Sequence, residues 1–306
     1  MMILVFGSLN ADLFFRVKNL PKAGETLLCP SYKIQPGGKG ANQAVAAACL
    51  GGRVEMIGSV GNDLFSALVI DGLEKSGVGS HGIKKTIGAT GTACVMVEDG
   101  GENQIVVASG ANLKTTSDQV LDDQLTKKTI LIIQMEVPID QIRRVIYRGR
   151  KAECKIILNL APALELGDEA LSLCDFLILN ASEADLLSGR TGSAQNHAQE
   201  FFRKYNAESI ITLGNNGAVL ANSDGLYSIN AMKVEAVDTV GAGDAFVGVF
   251  AASLNAGESS LSALSYATIA GGVTCLAEGA QTDLLSSSEI EKNLRHFQLP
   301  EFIKSI

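Results

Sequence analysis

The chain holds 306 residues, 25 basic against 33 acidic, 46% hydrophobic and 5% aromatic, with 32 glycines. Its length allows one large or two modest domains around a substantial core, and its hydrophobic share excludes a disordered chain. A net charge of −8 excludes a broadly basic surface, and with it a general nucleic-acid or anionic-membrane binder, but leaves room for a local anion site made of backbone amides or a bound cation.

The N-terminus, Met1-Met2-Ile3-Leu4-Val5-Phe6-Gly7, lacks a basic leader region and reads as a strand over Ile3–Phe6, not a signal peptide. Two half-polar runs follow, Leu13–Val17 and Glu25–Ile34, joined by Pro21-Lys22-Ala23-Gly24. They read as antiparallel strands with one wet face. A helix is expected over Ala41–Leu50, a buried strand over Val54–Ile57 and a helix over Leu64–Lys75. A second half-polar pair, Thr92–Glu98 and Gln104–Ala108, turns at Asp99-Gly100-Gly101. Beyond it, short apolar strands at Ile130–Ile133, Ile156–Leu158, Phe176–Leu179 and Ile210–Leu213 alternate with helical stretches at Ile139–Arg148 and Ala194–Lys204. Between Ala245 and Ala277 the only charge is Glu258, and frequent Ser, Asn, Thr and Gly mark two buried helices in place of a membrane span.

This alternation predicts an α/β three-layer sandwich with a mostly parallel central sheet, in a single domain over 1–306. The half-polar excursions, about 13–36 and 91–109, make one small antiparallel β sheet, a lid over a ligand site, a dimer interface, or both. Six cysteines without a C-x-x-C pair and three separated histidines, His81, His197 and His296, give no zinc spacing and point to the reduced cytoplasm.

Three segments carry chemistry. Gly7-Ser8-Leu9-Asn10-Ala11-Asp12 follows the first strand, and Asn10 and Asp12, two positions apart, can offer amide and carboxylate to vicinal hydroxyls; an Asx turn is the plainer alternative. Gln35-Pro36-Gly37-Gly38-Lys39-Gly40-Ala41-Asn42-Gln43-Ala44 ends a lid strand and opens a helix. It is neither a P-loop, because Gly40 follows Lys39, nor a G-x-G-x-x-G. Either its glycine backbone, Lys39 and Asn42 contact a hydroxyl-rich ligand, or it is a glycine-rich helix start with a solvated lysine. Asp238-Thr239-Val240-Gly241-Ala242-Gly243-Asp244 opens the long helical run to Leu254. Its glycines expose N–H groups at a helix N-terminus, an anion site, and Asp244 beside them can take a proton from a hydroxyl while the amides stabilise a transferring phosphoryl group. Taken alone, Asp244 reads first as a simple helix cap, and the motif needs company before it means catalysis.

Together and in this order, these segments resemble the ribokinase-like (PfkB-type) carbohydrate kinase family, from Gly7 to about Asp283. The resemblance implies that Asn10, Asp12, Gly38, Lys39, Asn42 and Glu136 hold a sugar, with Ala93 and Val95 as an apolar wall. It makes Asp244 the base and Gly241, Ala242 and Gly243 the anion hole. In Asn180-Ala181-Ser182-Glu183 it implies that Asn180 contacts nucleotide and Glu183 organises the water shell of Mg²⁺; a helix cap with a first-turn acid is the local alternative. Thr212, Gly214 and Gly217 would run along the nucleotide, where an Asn-Gly hairpin turn is also expected, with Gly243 at its phosphates. Thr268 stands near the adenine in place of a larger side chain. Asp238, Val240, Thr274, Ala277, Gly279 and Asp283 would hold K⁺, Asp283 in place of a serine.

The implied reaction is ATP-dependent phosphorylation of D-ribose at O5, in a cytoplasmic homodimer joined through the lid strands. Deoxyribose, another sugar or a nucleoside such as adenosine is the alternative acceptor. A silent sugar-binding regulator is opposed by the intact Asp244, Glu183 and glycines. A nicotinamide oxidoreductase is opposed by the lack of G-x-G-x-x-G after the first strand.

Overall fold

The structure is a computed structural model and describes residues 1–98 and 103–306. In β1 (Met2–Phe6) four successive apolar residues are buried, and side chains alternate between two cores: Ile3 and Val5 enter one, Leu4 and Phe6 the other. A strand covered on both faces has no reason to alternate polarity, which is why this run is continuously apolar. Three residues later the chain enters β2 (Asn10–Val17), returns as β3 (Tyr32–Gly37) and passes through Gly38 into α1 (Lys39–Ala48). Then come β4 (Arg53–Val60), α2 (Leu64–Lys75), β5 (Gly79–Lys85), β6 (Gly91–Glu98) and β7 (Asn103–Ala108). The middle of the chain supplies β8 (Thr129–Ile133), α3 (Ile139–Lys151), β9 (Lys155–Asn159), α4 (Asp168–Leu171), β10 (Phe176–Asn180), α5 (Ala181–Ser188) and α6 (Ala194–Tyr205). The last third holds β11 (Glu208–Thr212), β12 (Ala218–Asn222), β13 (Gly225–Ile229), α7 (Ala242–Asn255), α8 (Ser260–Thr274), α9 (Ser287–Leu294) and β14 (Glu301–Lys304).

Among the described residues ten strands form the large sheet, in the order β14-β13-β12-β11-β10-β9-β8-β1-β4-β5. From β11 to β5 neighbours run parallel; β12, β13 and β14 add an antiparallel margin. Ile142, Val145 and Ile146 of α3 and Phe201 of α6 fill the core on one face. Ala41 and Ala44 of α1, Val247 and Phe250 of α7 and Leu264 of α8 fill the other. The expected α/β sandwich is therefore present. The uncharged stretch after Ala245 is two helices, α7 and α8, separated at Gly257 (φ +98°). Among the described residues no helix is long and apolar enough to cross a membrane.

A second sheet has the order β3-β2-β6-β7. Its outer pairings, β2 with β3 and β6 with β7, are antiparallel as expected, while β2 and β6 are joined by a parallel ladder from Asn10–Gly91 to Val17–Glu98. The strand expected over Glu25–Ile34 begins only at Tyr32; Pro30 has no N–H for a ladder, and Leu28 stands 98% exposed. The turn expected at Asp99-Gly100-Gly101 lies outside the described residues. Four strands lie outside the expected set: the half-polar β5, the fully buried but short β12, and the short β13 and β14.

Candidate active site

The carboxyl ends of β1, β8, β9, β10 and β11 point to one side of the large sheet, and the chemistry-bearing segments leave from them. After β1, Ser8 Oγ donates to Glu136 Oε2 (2.5 Å), just beyond β8, and accepts from Gly40 N at the start of α1 (3.3 Å). Lys39 N reaches the same Glu136 oxygen at 3.3 Å. This knot ties the first strand, the glycine-rich turn and the central strand together.

The turn needs its glycines for space. Gly38 has φ +90°, and a Cβ there would lie 2.8 Å from Asn10 N; a Cβ on Gly37 would lie 2.0 Å from Asp12 Oδ2. Asn10 and Asp12 lie on one face of β2, with Ala93 and Val95, 6% and 3% exposed, on the same face of the paired β6. Asn10 Oδ1 accepts from Asn112 Nδ2 (2.8 Å), and Asn112 Oδ1 accepts from Leu9 N (2.9 Å). Asp12 Oδ1 is buried without a partner among the described residues. Burial, then the negative charge of Glu136, push the Asp12 carboxyl up to about 7, with Asp244 adding to the rise and the Ala93 backbone opposing it.

Asp244 sits in the first turn of α7 and is 7% exposed, but its surroundings are amides and not hydrocarbon. Asn42 Nδ2 donates to Oδ2 (3.0 Å) and Gln43 Nε2 to Oδ1 (3.0 Å). The helix opens through Gly241 (φ +79°), and the backbone N–H groups of Gly243 and Asp244 have no hydrogen-bond partner among the described residues. A Cβ on Gly243 would meet nothing within 4 Å. Open space therefore faces a helix end with free donors, beside a carboxylate: the arrangement an anionic group requires. Lys39 is held above its usual range chiefly by Asp244, with Glu136 and Glu183 adding and burial opposing. Burial is the first cause raising both Glu136 and Glu183, and Lys39 works against it in each. One ammonium thus serves three carboxyl groups.

The expected nucleotide residues are differently placed. Asn180 and Glu183 form a reciprocal cap on α5, Asn180 Oδ1 accepting from Glu183 N and Glu183 Oε2 from Asn180 N, both at 2.8 Å. Thr212 Oγ1 donates to Leu179 O (3.3 Å), and the β11–β12 hairpin turns between Gly214 (φ +56°) and Gly217 (φ +91°). Thr268 is buried in α8 with its hydroxyl on Leu264 O (2.8 Å).

For the expected cation group, Asp238 accepts from Val240 N (3.0 Å) and Gly279 N (2.9 Å), which draws the two loops together. The carbonyls of Asp238, Val240, Ala277 and Gly279 accept no hydrogen bond among the described residues, whereas Thr274 O accepts from Ala277 N. Asp238, Val240 and Gly279 line a cleft of about 410 Å³ against the small sheet. Across it Arg16 and Lys33 both pair with Glu278, at 2.8 and 2.6 Å. Asp283 lines a cleft with Cys49 and Lys75.

Sequence reasoning missed a set of amides. Gln134 Nε2 donates to Gln43 Oε1 (2.6 Å), Gln43 Nε2 also donates to Asn159 Oδ1 (3.0 Å), and Gln281 Nε2 donates to Asn42 Oδ1 (3.0 Å). Gln134 and Asn159, polar residues adjoining fully apolar strands, carried a signal that could have found them. Asn112, in a single short 3-10 turn, and Gln281, in a loop, carried none.

A parallel sheet, a helix end with free N–H groups, a buried carboxylate beside it and a cleft against a second sheet are the parts a phosphotransferase acting on a small hydroxylated molecule would use. The profile of the pfkB family carbohydrate kinases matches residues 1–287. A ribokinase of Schizosaccharomyces pombe is 33% identical, covering 94% of this chain and 96% of its own. A deoxyribokinase of Salmonella typhimurium is 38% identical over 81% of this chain and 84% of its own. A ribokinase of Arabidopsis thaliana complexed with ribose and ATP superposes with a TM-score of 0.87 at 28% identity, over 96% of this chain and 98% of that one. The chain belongs to the pfkB family of carbohydrate kinases, and it is a sugar kinase.

Proposed function

We propose that this kinase transfers the terminal phosphoryl group of ATP to O5 of D-ribose, giving ribose 5-phosphate and ADP. The observation that carries the reading is Asp244, fixed by two amides next to the free N–H groups of α7. The sugar lies against Asn10, Asp12, Gly38, Lys39, Asn42 and Glu136, with Ala93 and Val95 above it; the orphaned Asp12 oxygen is an acceptor waiting for a hydroxyl. The O5 oxygen attacks the γ-phosphorus, its proton passes to Asp244, and the bond to the bridging oxygen of ADP breaks. The Gly241–Asp244 amides stabilise the charge on the phosphoryl group in flight, and the small sheet closes as a lid to keep water from competing.

ATP is the phosphoryl donor, as the ATP complex of the Arabidopsis relative supports, with Asn180, Thr212, Gly214 and Gly217 along it and Thr268 near its base. Mg²⁺ supplies neutralisation of phosphate charge when bound; Glu183, whose second oxygen is left over from the α5 cap, would hold its water shell. The four undonated carbonyls of Asp238, Val240, Ala277 and Gly279 fit a hard monovalent cation such as K⁺, with Thr274 beside them and Asp283 outside the set. The exposed apolar Ile105, Val106 and Val107 of β7 support a homodimer through the small sheet, and six unpaired cysteines support a cytoplasmic setting.

A second reading keeps the chemistry and takes 2-deoxyribose as acceptor, favoured by the 38% identity to a deoxyribokinase. The test is a coupled ADP assay over ribose, deoxyribose, other sugars and adenosine, with and without K⁺ at constant ionic strength. The highest kcat/KM is expected for ribose; a strong preference for any other acceptor overturns the choice.

A further inference from the structure

We infer that Gln43 is the positioning residue for the base: it holds one oxygen of Asp244 still, so that the other is the oxygen that takes the sugar proton. The inference rests on Asp244 acting as base.

The argument begins with which way each amide faces. Asn159 Nδ2 donates to the main-chain oxygen of Ile178 in β10 (3.0 Å), so its Oδ1 must point the other way. That oxygen receives Gln43 Nε2 at 3.0 Å, which fixes the NH₂ end of Gln43 toward Asn159. The second hydrogen of the same nitrogen reaches Asp244 Oδ1, at 3.0 Å. Gln134 Nε2, at 2.6 Å from Gln43 Oε1, holds the oxygen end. A reversed Gln43 would set oxygen against oxygen at both Asn159 and Asp244 and would turn its own donor toward that of Gln134. Its orientation is thus dictated by the main chain of the central sheet, three groups away from the base.

Burial makes the arrangement costly to disturb. Gln43 and Gln134 are fully buried, and Gln134 Oε1 has no partner among the described residues, so the donation to Gln43 is what orients this side chain. The packing is shaped to admit it: a Cβ on Gly7 would lie 1.8 Å from Gln134 Oε1.

The two oxygens of Asp244 then differ in kind. Oδ1 is anchored through Gln43 to β10. Oδ2 is held by Asn42, a proposed sugar-binding residue whose own oxygen accepts from the half-buried Gln281. When a sugar hydroxyl enters, Asn42 is the partner that readjusts and Oδ2 is the oxygen within its reach, while Oδ1 keeps the carboxylate plane from rotating.

The test is a double-mutant cycle with a coupled ADP assay. In the wild-type background Gln43→Leu, similar in volume but without donors, is expected to lower kcat by about 10–10²-fold, the scale of a lost preorganised donor or a misplaced reacting group, with sugar KM within about threefold. In an Asp244→Asn background, where no base remains to be positioned, the same substitution is expected to cost less than about twofold. An equal loss in both backgrounds overturns the inference, as does an unchanged kcat in the single variant. If Asp244→Asn itself turns over normally, the base assignment fails instead. Should Gln43→Leu not fold, Gln134→Leu, one link further out, carries the same cycle with an expected loss of about 3–10-fold; equal loss in both backgrounds again overturns it.

Discussion

The acceptor and nucleotide halves proposed for the site are built in opposite ways. On the acceptor side, buried or half-buried side chains interlock: Ser8 with Glu136, Asn10 with Asn112, and Asn42 and Gln43 with Asp244. On the nucleotide side, Asn180 and Glu183 are occupied with capping α5, Thr212 with Leu179, and the rest is glycine backbone along a hairpin. A small sugar must be told from many others by its hydroxyls, and that demands donors and acceptors held in place before binding. A phosphate chain can be met by main-chain N–H groups and a helix end, which ask little of side-chain identity.

This contrast predicts that damage on the acceptor side is chemical and damage on the nucleotide side mostly structural. The largest effect is expected from Asp244→Asn: a drop in kcat of about 10²–10⁴-fold in the coupled assay, with sugar affinity measured by calorimetry little changed. Near-normal turnover would break the contrast at its centre.

Next is Asp12, whose carboxyl is pushed up to about 7, first by burial and then by the charge of Glu136. If a sugar hydroxyl donates to the ionised form, KM for the sugar falls as pH rises through 7, and Asp12→Asn raises KM about 10-fold and abolishes that slope. Stability has the opposite sign. Because folding raises this carboxyl above its unfolded value near 4, its contribution is intact below that value and is lost as pH rises through 7. Asp12→Asn is therefore expected to raise Tm of the ligand-free enzyme by about 2–4 °C at pH 8 and by less at pH 5. A Tm difference independent of pH would contradict the burial argument.

On the other half, Asn180→Ala removes the α5 cap, at a cost of about 1 kcal/mol. KM for ATP is expected to rise about 3–10-fold while kcat stays within about twofold, as for a lost neutral hydrogen bond; a collapse of kcat would mean that this half is as finely built as the other. The smallest effect is expected from Glu278→Gln, which releases two exposed pairs across the cleft. Sugar KM should change less than about threefold, and the difference should vanish in high salt.

Legibility followed the same divide. The parallel strands were readable because a strand buried on both faces, such as Ile130–Ile133, must be apolar throughout, and Leu64–Lys75 was readable as the helix α2. The margin β12–β14 was not: β12 and β13 are five residues each and β14 four, too short for a period to show, although β12 is buried along its whole length. At the site, Lys39 and Asp244 follow glycine-rich turns at helix starts and Asp12 follows the first strand, positions that sequence can flag. The amides behind them were hidden because their roles depend on contacts as remote as Gln43 with Asn159, and a glutamine in a helix looks the same whether it faces solvent or a base. Asp283 illustrates the reverse: only resemblance pointed to it as an ion ligand, and its side chain lines a cleft with Cys49 and Lys75.

The parallel ladder between β2 and β6 begins at Asn10 and Gly91, beside the pocket, and runs outward to Val17 and Glu98. The small sheet is therefore rooted at the residues proposed to meet the sugar, and its ladder ties the strand that carries Asn10 and Asp12 to the strand that carries Ala93 and Val95. A slip in that register would displace both sets at once, so a substitution within the β2–β6 pairing is felt on two walls of the proposed sugar site together.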